Sequence, residues 1–312
     1  MNCLVTGAAG FIGSHLSEGL LALGHNVLGI DCFTDYYPLR LKEANLSRLR
    51  QTPGFTFLEA NLNDIDLRPI LQGVESVFHH AAQAGVRPSW GQNFAIYVGH
   101  NILATQHLLE AAVGADLKKI VYASSSSVYG DTDRIPMCED IPLHPVSPYG
   151  VTKLAAEDLC YLYWKNYGLP VISLRYFTVF GPRQRPDMAF NKFIRATLEG
   201  RPITIFGDGK QTRDFTYVSD AVAANIQALE SNHIGEVYNI GGGARITVNE
   251  LLSILEGVTG IKPRIKYEAA PKGEMQHTLA DVSKARRELG YNPQVKVPEG
   301  LALEAAWIKE VG

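Results

Sequence analysis

Tyr149 and Lys153 stand four residues apart, so a helix would set a phenol and an ammonium on one face. Such a pair can take the proton from a secondary alcohol while hydride leaves the same carbon. An ordinary tyrosine, with a pKa of about 10, is too weakly ionised for that task. Bringing it near neutrality takes about 3 units, or about 4 kcal/mol, of selective phenolate stabilisation. A neighbouring ammonium has the right sign to supply it. Spacing alone is weak, because Tyr161 and Lys165 repeat it and read as a plain surface pair. The setting of the first pair is more specific. Ser147-Pro148-Tyr149-Gly150 has the residue types of a helix start. Tyr149 lies 24 residues after Ser125, which stands at the end of an apolar run.

A hydride needs an acceptor, and the N-terminus has the pattern to hold one. Gly7-Ala8-Ala9-Gly10-Phe11-Ile12-Gly13 follows a short apolar strand and opens a helix, a tight turn through which backbone N–H groups can approach a pyrophosphate. The next strand ends at Asp31, 18 residues after Gly13, where a carboxylate accepts from the adenosine ribose diol and repels a 2′-phosphate. No Lys or Arg precedes Arg40, which favours NAD over NADP.

In combination the glycine turn, the Ser125–Tyr149–Lys153 set and Arg213-Asp214-Phe215 resemble the extended short-chain dehydrogenase/reductase family, specifically its nucleotide-sugar epimerases. The resemblance spans essentially the whole chain. It implies a Rossmann-type domain, tightly held NAD, a UDP-sugar substrate and a homodimer. It makes Ser125, Tyr149 and Lys153 catalytic, with Lys153 also holding the nicotinamide ribose. Gly7, Gly10, Phe11, Ile12, Gly13 and Asp31 would bind the cofactor at one end. Asn61 and Leu62 would lie near the adenine, Asn61 where many relatives have Asp. Ala81, Ala82, Gln83 and Tyr176 would complete the cofactor's lining.

Departures from the family pattern narrow the reaction. Related sugar dehydratases resemble Thr-Asp-Glu before Val-Tyr-Gly, and UDP-xylose-forming decarboxylases have a Glu before Val. Here Ser126 and Ser127 precede Val128-Tyr129-Gly130, and a hydroxyl is a poor proton-abstracting base. Oxidation and re-reduction at one carbon remain. Thr178 replaces the Asn of galactose-type enzymes, and Gly181 to Ala189, with Ala84 to Trp90, resembles UDP-glucuronate 4-epimerases. Interconversion of UDP-glucuronate and UDP-galacturonate through a 4-keto sugar is therefore expected. Ser126, Ser127 and Thr178 would hold the sugar, with Arg87 and Arg185 as partners for a carboxylate or phosphate. Arg185 would be left unpaired by a neutral sugar. Arg213 suits the diphosphate, and Glu274, in a degraded Arg-x-Gly-Asp element, would accept from the uridine ribose. Two alternatives stay open: a UDP-glucose or UDP-N-acetylglucosamine 4-epimerase, and a non-catalytic NAD-binding sensor.

The elements that must position these residues alternate. Strands are expected at 2–6, 26–31, 55–60, 76–80, 119–124 and 170–175, with helices at 11–23, 92–113 and 149–167. Runs apolar on both faces imply a doubly wound parallel α/β sheet covered on both sides. Beyond Phe177 glycines and prolines break the rhythm, and helices are expected at 219–230, 248–258 and 281–289. This divides the chain into an NAD-binding domain, 1–176, and a smaller mixed UDP-sugar-binding domain, 177–312, with a segment near 212–240 returning to the main sheet.

Composition limits the partners. With 29 basic and 32 acidic residues the net charge is -3, which argues against a protein that coats nucleic acid or an anionic membrane. No run of 18 apolar residues suggests a membrane helix. Four scattered cysteines and an N-terminus without basic residues fit a cytoplasmic protein. His79 and His80 lack partners at ligand spacing, so no metal is expected and both read as packed or cofactor-lining.

Overall fold

A computed structural model describes residues 1–269 and 275–311. The elements in order are β1 (Asn2–Thr6), α1 (Phe11–Ala22), β2 (Asn26–Asp31), α2 (Leu39–Ser47), β3 (Phe55–Glu59), α3 (Arg68–Leu71), β4 (Ser76–His79), α4 (Phe94–Tyr97) and α5 (Ala104–Ala112). There follow β5 (Lys119–Ser125), α6 (Pro148–Tyr167), β6 (Val171–Tyr176), β7 (Val179–Phe180), α7 (Ala189–Leu198), β8 (Ile203–Phe206), β9 (Thr212–Asp214) and β10 (Thr216–Tyr217). The remainder is α8 (Val218–Glu230), β11 (Glu236–Ile240), β12 (Arg245–Thr247), α9 (Val248–Thr259), β13 (Ile265–Glu268), α10 (Ser283–Leu289) and α11 (Val297–Val311).

Seven strands form one parallel sheet in the order β11-β6-β5-β4-β1-β2-β3. The order reverses between β1 and β4, and in a doubly wound sheet such a crevice at the strands' carboxyl ends is where a ligand binds. Every residue of β4, β5 and β6 is buried, as strands covered on both faces require. One core, on the α1 and α8 face, continues from Val5 and Leu16 through Tyr238 to Leu301. The opposite core joins Leu4 and Tyr122 to Leu108 of α5 and Ala156 of α6. The remaining strands pair two by two, β7 with β10, β9 with β12 and β8 with β13. This is a Rossmann-type α/β fold with a smaller mixed α/β part.

The single helix expected at 92–113 is interrupted. A 3₁₀ turn at Gly91–Asn93 leads into α4, and a π-helical segment, Val98–Leu103, separates α4 from α5. A π turn carries an extra residue, and such turns recur at functional sites; here the segment carries the buried Asn101. α2, α7 and α11 were not anticipated. In α7 the buried Phe190, Ile194 and Thr197 do recur at helical spacing. In α2 the inward residues are Lys42, Asn45 and Leu46, a mostly polar face without an apolar stripe.

Candidate active site

A cleft of about 1120 Å³ runs along the carboxyl ends of the sheet and over the C-terminal part. At one end the glycine turn is built by close approach. Gly7 adopts φ +72, and its N–H donates to Ile30 O at 2.7 Å. A Cβ on Gly13 would lie 2.2 Å from Gly7 O, so only glycine lets α1 start so near the turn. Gly10 caps α1 without a side-chain bond, leaving backbone N–H groups for an anion. The turn thus fits a pyrophosphate. Gly10, Phe11 and Ile12 line the cleft beside it.

Asp31 accepts from the N–H of Ala9 (3.1 Å) and of Phe33 (2.9 Å). Burial raises its pKa, opposed by those bonds and by Lys42. Lys42 corrects the argument from sequence distance. Although it follows Arg40, α2 folds it back into the cleft, where its ammonium donates to Thr34 O and lies 4.6 Å over the Tyr37 ring. A cation therefore stands near the Asp31 carboxylate. Asn61, Leu62, Ala81, Ala82 and Gln83 line the same end, and the Asn61 side chain accepts from Asn63 N–H at 3.1 Å.

Mid-cleft, Ser125 ends β5 and Tyr149 and Lys153 rise from the first turns of α6. Ser147 caps that helix by accepting from Gly150 N–H at 3.1 Å, and Pro148 occupies its first position. Gly150 permits the approach, because a Cβ there would lie 2.5 Å from Ser127 O. Ser125 Oγ accepts from Ser127 N–H at 3.1 Å, leaving its O–H to bond the Tyr149 phenol. Burial raises the Tyr149 pKa, while Ser125 and the Arg185 charge pull it down. Burial lowers Lys153 to about 8, with Cys160 and Glu157 opposing. Tyr176 is buried, and its hydroxyl accepts from Asn225 Nδ2 at 2.6 Å.

Behind the trio runs a hydrogen-bonded chain that sequence reasoning missed. Thr6 Oγ1 accepts from Ala81 N–H (3.2 Å) and donates to His79 Nδ1 (2.7 Å). Thr105 Oγ1 donates to Asn101 O (2.7 Å), so it accepts from His79 Nε2 (3.0 Å). The Asn101 amide then bonds Gln83 N–H and C=O and Thr152 Oγ1, and Thr152 donates to Tyr149 O. His79 is thereby a neutral packed residue, its pKa lowered to about 3 by burial, with the Lys153 charge adding to it. His80 bonds Asn225 Oδ1 and stacks on Tyr176.

At the far end Ser126, Ser127, Thr178, Arg185, Arg87 and Arg213 face the cleft. The expectation that Arg185 lacks a partner is overturned. Asp187 takes it bidentately at 2.9 and 3.1 Å, and Tyr36 O–H donates to the same carboxylate at 3.0 Å. The Arg87 guanidinium lies 4.2 Å over the Phe206 ring. Arg213 donates to Thr212 O and Gln276 O. Neighbouring Asp214, raised to about 6 by burial, instead accepts from Gly242 and Ala280 N–H groups. Glu274 lies outside the described residues.

Fold and cleft together define a protein of the extended short-chain dehydrogenase/reductase class. The chain belongs to the NAD dependent epimerase/dehydratase family, whose model matches residues 3–241. It is 48% identical to the uncharacterized UDP-glucose epimerase YtcB of Bacillus subtilis, across 100% of this chain and 99% of that one. It is 41% identical to a UDP-glucuronate 4-epimerase of Thermodesulfobacterium geofontis, across 98% and 96%. Among solved structures, UDP-glucuronic acid 4-epimerase from Bacillus cereus in complex with UDP-glucuronic acid and NAD superposes with a TM-score of 0.98, at 46% identity and full coverage of both chains.

Proposed function

We propose that this protein is an NAD-dependent isomerase that interconverts UDP-glucuronate and UDP-galacturonate at C4. The observation that carries the reading is the meeting of Ser125, Tyr149 and Lys153 beside a pyrophosphate-ready glycine turn, with Ser126 and Ser127 where acids would serve other chemistry and Thr178 facing the same cleft. NAD, when bound along the glycine turn and Asp31, would supply the acceptor and donor for hydride at C4. Tyr149 takes the C4 hydroxyl proton and later gives it back, Ser125 donates to the reacting oxygen, and the Lys153 ammonium favours the phenolate. With serines at 126 and 127, neither position carries a carboxylate that could draw a proton from C5. The serine and threonine hydroxyls can hold the uronate group in the plane of the ketone, where loss of carbon dioxide gains little overlap.

A second reading has its own support. Because Arg185 already holds Asp187, it need not await a sugar carboxylate, and in a UDP-glucose 4-epimerase it would serve the diphosphate. A product-resolved assay decides. UDP-glucuronate should exceed UDP-glucose by about 100-fold in kcat/KM, or about 2.7 kcal/mol, and Tyr149→Phe should cost about 10²–10⁴-fold in turnover. Comparable turnover of UDP-glucose favours the second reading. No turnover of any UDP-sugar leaves an NAD-binding sensor.

The proposal includes a homodimer. Ile96 and Leu103 along 94–112, with Val151 and Leu162 on α6, expose large apolar side chains on neighbouring helices, the kind of face a second copy would cover. A cytoplasmic location belongs to the same reading, since the four cysteines are free thiols suited to a reducing compartment.

A further inference from the structure

We infer that Tyr122 is a positioning residue for the reaction, its ring face holding the Lys153 ammonium charged and in place. The inference rests on the roles proposed above for Tyr149 and Lys153. Strand β5 turns Tyr122 and Ser124 toward α6, where they meet Lys153 and Glu157, themselves one helical turn apart. Lys153 Nζ stands 4.5 Å from the Tyr122 ring centroid, and Ser124 Oγ donates to Glu157 at 2.5 Å.

Other groups that face this ammonium do less. Glu157 is committed to Arg175, at 2.5 to 3.2 Å, as well as to Ser124. His79 and His80, at the end of β4, are held neutral, at about 3 and about 4, by burial. Burial keeps the Cys160 thiol protonated, and Tyr149 shares the cleft wall with Arg185 beyond it. The ring's negative face is thus the compensation at hand for a cation 4% exposed. The Tyr122 hydroxyl, in contrast, makes no hydrogen bond among the described residues. An orphan hydroxyl costs stability, so the position has use for an aromatic face and none for the phenol oxygen.

The pH dependence of kcat/KM in the NAD-loaded enzyme tests this. Tyr122→Phe should keep both limbs of the profile where they are. Tyr122→Leu should move the alkaline limb down by about one pH unit, tenfold in the lysine equilibrium, with the KM for the UDP-sugar unchanged. Absorbance titration of phenolate near 295 nm, taken as the difference from Tyr149→Phe, should show the Tyr149 ionisation moving upward in Tyr122→Leu. Should Tyr122→Leu fail to fold, phenylalanines of increasing fluorination at position 122 keep the shape while draining the ring face, and the alkaline limb should fall stepwise. Limbs that stay fixed across that series, or a drop in kcat equal at every pH, would overturn the inference. If Tyr149→Phe and Lys153→Met retain turnover, the catalytic reading itself is what fails.

Discussion

Asp187 occupies Arg185 in a bidentate pair, so a substrate carboxylate must compete with one the chain already provides. Asp187→Asn keeps the shape and releases the guanidinium. Under the uronate reading, KM for UDP-glucuronate should fall severalfold while that for UDP-glucose stays put. Equal changes for both would assign Arg185 to the diphosphate. At the other end Asp31→Ala should weaken NAD by about 10- to 100-fold, the worth of a lost bond to a charged group. The same change should raise NADP affinity, because Lys42 remains beside the emptied place, and adding Lys42→Ala should remove that gain in a titration with NADP. The Tyr149–Lys153 pair and the glycine turn were legible in the sequence because local geometry ties their spacing to their chemistry, whereas Ser125, 24 residues away on β5, was reached through the family resemblance. Lys42 was not, since its neighbours Thr34 and Asp31 are met only through folding. Asp187 lies two residues from Arg185, but an i, i+2 spacing does not announce a pair, and Tyr36, which fixes its carboxylate, is 151 residues away.

Among the elements, the alternating strands and long α6 could be read because burial on both faces and good capping leave plain patterns. The break in the 92–113 helix could not, because a π turn differs from its surroundings by one residue of register. α11 escaped too, and it carries an unusual group. Glu304 is fully buried, accepts from Gly181 N–H at 2.8 Å and has its other oxygen unbonded among the described residues. Burial raises its pKa to about 8 from an ordinary 4.5. The folded form therefore prefers the proton. Its contribution to stability is full below about pH 4.5 and is lost as pH rises toward 8. Glu304→Gln, which still accepts from Gly181, should match the parent in unfolding free energy near pH 4.5 and exceed it by a few kcal/mol above pH 8, as denaturant titrations at the two pH values would show.

For the whole molecule, the parallel sheet follows from its strand–helix rhythm, whereas the C-terminal pairs could not be read. β9 pairs with β12, and β8 with β13, across long insertions, so no local period announces them. Leu162→Arg, in the exposed apolar face of α6, should convert the proposed dimer to a monomer in sedimentation without unfolding it. One turn joins the distant parts. Residues 181–184 are fastened to α1, where His15 bonds Pro182 O and Arg183 pairs with Glu18 at 2.8 Å, and to α11 through Glu304. On the ribosome, α1 and the cofactor's strands emerge first, but Glu304 follows Tyr176 by 128 residues. At about 5–20 residues per second, the sugar side of the cleft waits roughly 6–25 s for its last fastening. A nascent chain stalled between α10 and α11 should thus already protect β1 to β6 from proteolysis while the 181–189 segment is still cut.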